Sequence, residues 1–348
     1  MAAAVTNASM TGGEISIDLN DREVLVTGGT GSFGQKFVAT VLARFRPRRL
    51  IVLSRDEQKQ FDMQHAPAFR DRSCLRFFIG DVRDAARMRM AMRDVDTVVH
   101  AAALKHIPVA EYNPFECIHT NVLGAENVVT AALDCGVERV IAISTDKAVN
   151  PINIYGASKL AADKIFVAAN ALVGNAPTTY SVVRYGNVLG SRGSVIPLFR
   201  RLLAEGATRL PITDERMTRF WISMAQGIDF VLSSLAMMRG GEIFVPKSAS
   251  MRTIDMVRAI SPGTPTHIVG IRPGEKLHEV LISEEDTSTI LDFPDRYVVC
   301  PPQDARVVEH HLGRGGKPVP QGFKYASDNN PDRLDTVRLR ELLDEDGA

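Results

Sequence analysis

The short apolar run Glu23-Val-Leu-Val-Thr27 passes directly into Gly28-Gly-Thr-Gly31-Ser-Phe-Gly34, and that loop passes into a helical pattern from Gln35 to Phe45. Glycines let a backbone turn tightly and come close to a pyrophosphate, which then rests against the unpaired N–H groups of a helix start. The spacing is G-x-x-G-x-x-G rather than the tighter G-x-G-x-x-G, and a plain turn is the alternative. The strand-loop-helix setting favours a dinucleotide site built from Gly28, Thr30, Gly31, Ser32, Phe33 and Gly34. A unit of this kind constrains the whole chain, because a parallel strand needs a crossover helix and further strands beside it.

Those strands follow. Arg49-Leu-Ile-Val-Leu53 ends in Ser54-Arg55-Asp56-Glu57. An acidic residue at the tip of this strand usually holds the ribose 2′-OH of NAD; here Ser54 and Arg55 stand there, and an arginine pairs with a 2′-phosphate. NADP is therefore expected, with Asp56 one place further on as a rival ribose contact. Leu75–Ile79 leads into Gly80-Asp81-Val82, where Asp81 is either an adenine-edge acceptor or the N-cap of a helix over Arg83–Met92. Val98-Val99-His100 precedes Ala101-Ala102-Ala103, small residues that let a cofactor pass close to the backbone. Lys105 and His106 follow in the loop, as site residues or as ordinary loop charges. A helical pattern covers Asn113 to Cys135, with Asn121 either structural or close to the catalytic groups. Together the βα units predict an α/β protein with a doubly wound parallel sheet.

The next strand, Val140–Ile143, ends at Ser144, so Thr145, Asp146 and Lys147 emerge at its C-terminal end, where open α/β sheets bind ligands. Tyr155-Gly-Ala-Ser-Lys159 opens another helical pattern and places a phenol and an ammonium four residues apart on one face. A nearby ammonium lowers the pKa of a tyrosine, which makes the phenol usable as a proton acceptor. The chain has 348 residues, 45 % hydrophobic, with 41 Lys+Arg against 41 Asp+Glu, which excludes a charge-driven nucleic-acid or anionic-membrane partner. Its four cysteines lack metal-type spacing and suggest a reducing compartment. No apolar run is long enough to span a bilayer, and Met1–Gly13 lacks the pattern of a signal peptide. A cytoplasmic protein is expected, with a flexible tail over 1–15, a nucleotide-binding unit over 16–185 and a smaller α/β substrate-binding unit over 186–348.

Several segments resemble one family. Thr27–Gly34, Ala103-Leu-Lys-His-Ile-Pro108, Ser144–Asn153 and Tyr155–Lys159 are similar to the C5-inverting UDP-N-acetylglucosamine 4,6-dehydratases of the extended short-chain dehydrogenase/reductase superfamily, which open the pseudaminic acid pathway. Arg184–Val188, Met217–Ile222, Gly240–Pro246, Gly270–Glu279 and Tyr325–Asn330 continue the likeness. Tyr155 separates the inverting branch from retaining relatives, which commonly carry Met there. The resemblance implies a Rossmann fold and a tightly held NADP that is regenerated in each turnover. Tyr155, with Lys159 and Thr145, would take the 4-OH proton as C4 is oxidised. Lys147 would remove the C5 proton while Asp146 protonates the departing 6-hydroxyl. Lys105, Thr145, Asn187, Arg272 and Glu275 would contact the UDP-sugar, Asn187 and Arg272 through its phosphates, with turn or surface roles as the alternative for these two. Arg219-Phe-Trp221 is expected to pack. The family also implies a homo-oligomer, dimer or hexamer, using the Asn113–Cys135 and Tyr155–Ala171 helices.

Overall fold

The structure is a computed structural model that describes residues 10–11, 14–15, 17–191, 193–286 and 288–345. Most of the tail expected over 1–15 lies outside these residues; Met10–Thr11 pairs with Glu14–Ile15. Strand β1 (Glu23–Thr27) is buried along its whole length. Its neighbours are β2 (Arg49–Ser54) and β4 (Thr97–His100), with β3 (Leu75–Ile79) beyond β2. On the other side β4 pairs with β5 (Arg139–Thr145), β5 with β6 (Thr179–Tyr185) and β6 with β7 (Ile243–Pro246). All these pairs are parallel, in the order 3-2-1-4-5-6-7. Three antiparallel strands complete the edge, β9 (Arg296–Val299), β8 (Ile290–Asp292) and β10 (Lys317–Pro318), so ten strands among the described residues form one sheet. The chain after residue 185 thus returns four strands to the sheet.

Because both faces are covered, the strands read as continuous apolar runs. Helix α1 (Ser32–Arg44) and the helix Met224–Met237 pack on one face, over a core that includes Phe37, Val41, Ile228 and Phe244. Helices α3 (Ala85–Ala91), α4 (Gly124–Cys135) and α5 (Ile154–Ala169) cover the other, over Val98, Val128, Phe166 and Tyr180. A third core around Phe199, Trp221, Met256 and Leu339 belongs to a smaller unit. There Thr218–Ile222 pairs with Asn187–Val188 and Ala249–Arg252.

Two helices differ from expectation. The stretch from Asn113 is helical as expected from Pro114 to Cys135, but not α throughout: Pro114–Ile118 is followed by a π-turn, His119–Leu123, before α4 begins. The extra residue of that turn brings Asn121 inward, where its amide donates to the Leu104 carbonyl at 2.9 Å and accepts from the Leu104 N–H at 2.8 Å. The helix expected from Arg83 begins at Ala85, because Asp84 caps it by accepting from the Arg87 N–H. Asp81 instead accepts from the backbone and side chain of Arg83.

Helix α5 carries one side of a buried ion pair, Asp163 Oδ2 to Arg184 Nη2 at 3.1 Å, and Arg184 also donates to the Leu281 carbonyl. Removing one partner leaves a buried charge uncompensated. Asp163→Ala is expected to lower stability by about 3–5 kcal/mol, read as a fall in the urea midpoint at constant m-value.

Candidate active site

Gly28 adopts φ +65, and a β-carbon there would sit 2.9 Å from the Cα of Ala102, so only glycine lets the first loop and the strand-4 loop meet. Gly31 caps α1 without a side-chain hydrogen bond, a helix start that suits a pyrophosphate. From this loop a cavity of about 710 Å³ runs along the C-terminal edge of the sheet. Gly28, Thr30, Gly31, Ser32, Phe33, Gly34, Ser54, Arg55, Asp81, Val82, Ala101, Ala102 and Lys105 all line it. These residues fit a nicotinamide dinucleotide: a glycine cradle for the pyrophosphate, strand-tip polar groups at one end and small residues beneath the path.

At the far end of strand β2 the polar groups are unevenly committed. Asp56 caps α2 (Glu57–His65) by accepting from the Lys59 N–H at 3.0 Å, and its second oxygen meets Lys59 Nζ at 2.6 Å. Arg55 is half-exposed and lies 3.6 Å from Asp81. Lys59, which the sequence reading did not single out, joins Arg55 in the cavity wall.

The other end holds the reactive side chains. Strand β5 closes on Thr145, a 3-10 turn carries Asp146 and Lys147, and Asn153 caps α5 so that Tyr155 and Lys159 face the same space. Gly156 makes this possible, since a β-carbon there would fall inside the Lys147 carbonyl oxygen. Thr145 Oγ1 donates to Asp146 Oδ1 at 2.8 Å, and Lys147 Nζ donates to the same oxygen at 3.0 Å. Lys147 also donates to Asn187 Oδ1 at 3.3 Å. Asp146 is completely buried and is absent from the cavity wall, unlike Thr145, Lys147, Tyr155, Lys159 and Asn187.

The charges act differently from the sequence expectation. Lys159 Nζ donates to the Ile143 carbonyl at 2.8 Å, and burial lowers its proton affinity against the pull of Asp163. Burial pushes the Tyr155 phenol up to about 12; Lys147, rather than Lys159, is the ammonium that draws it down, helped by a hydrogen bond with Thr145. Desolvation therefore outweighs the neighbouring cations. For Lys147 the balance is reversed. Burial disfavours its charge, but the carboxylates of Asp146 and Glu279 prevail and hold it above the ordinary lysine range.

A second cavity of about 230 Å³ adjoins the first through Asn187, Gly193 and Ser194. Arg272 and Glu275 line it, and so does Arg219. Arg219 does more than pack: it donates to the Thr218, Lys276 and Leu277 carbonyls and lies 3.8 Å from both Glu275 and Glu279. Sequence reasoning gave no role to Glu279 or Lys276, although both sit in the quoted Gly270–Glu279 segment; only the fold brings them to Lys147, more than 120 residues away.

Residues 24–301 match the model of the family described as polysaccharide biosynthesis protein. The chain belongs to that family. One relative, the UDP-N-acetylglucosamine 4,6-dehydratase (inverting) of Campylobacter jejuni, is 52 % identical over 329 residues, 93 % of this chain and 98 % of its own. Another, the UDP-glucose 4-epimerase of Rickettsia akari, is 41 % identical over 93 % of this chain and 95 % of its own. Among solved structures, the dTDP-glucose 4,6-dehydratase DesIV of Streptomyces venezuelae, with NAD bound, superposes with a TM-score of 0.65 at 26 % identity, covering 73 % of this chain and 86 % of that one. This family member therefore shares its sheet with nucleotide-sugar dehydratases.

The raised Tyr155 pKa has a measurable sign. The folded protein keeps a proton that the unfolded chain loses above pH 10, so this contribution to stability is intact below pH 10 and is lost as the pH rises towards 12. In protein stripped of nucleotide, the difference in phenolate absorbance between wild type and Tyr155→Phe is expected to titrate with a midpoint near pH 12.

Proposed function

We propose that this protein is an NADP-dependent dehydratase acting on UDP-N-acetylglucosamine, with C4 oxidation, loss of water across C5 and C6, C6 reduction and inversion at C5. The product is UDP-2-acetamido-2,6-dideoxy-β-L-arabino-hexos-4-ulose, the first intermediate towards pseudaminic acid. The observation that carries this reading is the Asp146–Lys147 ion pair, whose Lys147 shares a cavity end with Tyr155 and Lys159 while Asp146 lies buried directly behind it. A phenol alone serves an oxidation at C4. An adjoining acid and base serve the expulsion of a hydroxyl.

When bound, the nicotinamide supplies the hydride acceptor for C4 and the hydride donor for C6. Tyr155, once ionised to the phenolate, takes the proton of the 4-hydroxyl, oriented by Thr145. The new C4 ketone acidifies the C5 proton. For Lys147 to act as base, one proton must pass along the 3.0 Å bond to Asp146, against the hold of Asp146 and Glu279 on the ammonium, leaving an amine and a carboxylic acid. Lys147 then takes the C5 proton and Asp146 gives its proton to the 6-hydroxyl, which leaves as water. The ion pair is thereby restored without a net proton, and the hydride returned to C6 would be matched by a solvent-exchanged proton delivered to C5 from the opposite face, which balances the one taken from the 4-hydroxyl and inverts C5.

Arg55 and Lys59 at the ribose end, with Asp56 spent as a helix cap, support NADP over NAD. The smaller cavity, with Arg272, Glu275 and the shared Asn187, is assigned to the UDP moiety. Among the described residues no helix is long and apolar enough to cross a membrane, and we assign the protein to the cytoplasm. Exposed Tyr112, Phe115 and Leu123 beside the π-turn support assembly into a dimer or hexamer of this chain. The epimerase relative supports a second reading, a UDP-sugar 4-epimerase, which would use Tyr155 and Lys159 but give Asp146 and Lys147 no hydroxyl to expel.

A proton NMR time course with UDP-N-acetylglucosamine in deuterated water, without added cofactor, separates these outcomes. A C6 methyl signal with deuterium at C5 and L-arabino couplings is expected. Deuterium at C5 with ring couplings of the retained configuration would indicate the retaining branch, and a 4-epimer with its 6-hydroxyl would establish the epimerase. Asp146→Asn and Lys147→Met are each expected to slow dehydration by on the order of 10²–10⁴-fold.

A further inference from the structure

A lysine that serves as a base must be held where it can lose and regain a proton. Lys147 donates hydrogen bonds to Asp146 Oδ1 at 3.0 Å and Asn187 Oδ1 at 3.3 Å, and its third partner is an ion-pair contact with Glu279 Oε1 at 3.4 Å. Two of the three belong to groups with an assigned purpose. Glu279 has none, yet its side chain is only 2 % exposed, and burying a carboxylate is costly unless it is paired.

The protein invests in placing it. The Glu279 N–H donates to Ser327 Oγ at 2.9 Å and its carbonyl accepts from the Ser327 N–H at 2.8 Å, so the backbone is clamped on both sides. Ser327 Oγ is in turn 2.7 Å from Thr218 Oγ1 on the strand that carries Arg219. Arg219 and Lys276 lie 3.8 and 3.9 Å from the carboxylate, and Glu279 Oε2 is buried without a hydrogen bond. The groups facing Lys147 are thus Asp146 beside it, Glu279 and Lys276 from the 270s segment, Arg219 from its strand, Tyr155 from α5 and Asn187 after β6.

We infer that Glu279 is a positioning residue for Lys147, a fixed counter-charge that holds the ammonium against Asp146. Its logic follows from the proton movements. Asp146 loses its negative charge when it becomes the acid, so it cannot steady Lys147 throughout the reaction. Glu279 keeps its charge and its place at every stage. It anchors the amine while Asp146 holds the proton, and it stabilises the ammonium formed when the C5 proton arrives. Arg219, bonded to three carbonyls of the surrounding segments, keeps Glu279 from drifting. The part played in catalysis rests on the dehydratase reading; the hold on the Lys147 charge does not.

The test uses full-length wild type, Glu279→Gln and Glu279→Asp, the glutamine keeping the shape without the charge. First, acetylation of Lys147 by trace acetic anhydride at pH 9 is quantified by mass spectrometry against exposed lysines. Glu279→Gln is expected to acetylate Lys147 about tenfold faster, a loss of about one pH unit in proton affinity, with Glu279→Asp close to wild type. Equal labelling in wild type and Glu279→Gln would overturn the inference, and this measurement stands even if the protein proves to be an epimerase. Second, with UDP-N-acetylglucosamine, the pH profile of C5 deuterium exchange is compared with C4 oxidation, followed by reduced-nicotinamide absorbance. Glu279→Gln is expected to displace the C5 profile to lower pH and to slow C5 exchange by more than it slows C4 oxidation. A parallel fall in both steps, with no change in the C5 profile, would make Glu279 merely structural and refute the role.

Discussion

A half-buried ammonium must be paired, and the site is organised by how Lys147 meets that requirement. Its partners come from three separate stretches: Asp146 from the turn after β5, Asn187 from the strand after β6, and Glu279 from the segment before the Val280–Ile282 strand. Three cations, Lys147, Arg219 and Lys276, face three carboxylates, Asp146, Glu275 and Glu279, so the buried cluster is balanced. Pairing of this kind gives little net stability, because desolvation offsets the attraction, but it specifies one arrangement of the groups it joins.

The same contacts tie the large sheet to the smaller unit. Asn153 caps α5 with one amide atom and donates to the Gly274 carbonyl with the other, at 2.7 Å. Lys276 reaches back to the Val149 carbonyl at 2.6 Å. The helix that presents Tyr155 and the segment that presents Glu279 are therefore set against each other by hydrogen bonds to backbone carbonyls as well as by ion pairs. Asn121 plays a similar part on the far side of α5, joining Leu104 to Ser158 across the π-turn. A side chain that expects helix and finds a bulge marks a place where local propensity yields to the geometry of a site.

Tyr155 shows how far burial decides chemistry. A phenol beside two lysines reads as acidic on paper, yet enclosure among Ile107, Ala110, Cys117 and Ile154 raises it instead. Lys147, also enclosed, goes the other way because two carboxylates touch it. The sign of each shift depends on distances of a few ångströms, and these are absent from any residue pattern.

Much of this protein was legible in its residues. Apolar runs at the right lengths, each followed by a helical period, specify a parallel sheet, because strands with both faces covered lack alternation and crossovers must be helical. The glycine loop, the Thr145–Lys147 turn and the Tyr155–Lys159 pair are local signals, each contained within one βα junction, and their neighbours along the chain already state their setting. What tertiary structure alone decided is long-range. It sent Ile243–Pro246 and the strands between 290 and 318 back to the sheet edge, put a π-turn into the helix at Asn121, and turned Arg219 from a packing residue into a clamp. It also placed Glu279 on an ammonium 132 positions earlier in the chain. Such contacts are set by how the two units dock, and docking depends on the summed shape and charge of surfaces that no local pattern encodes.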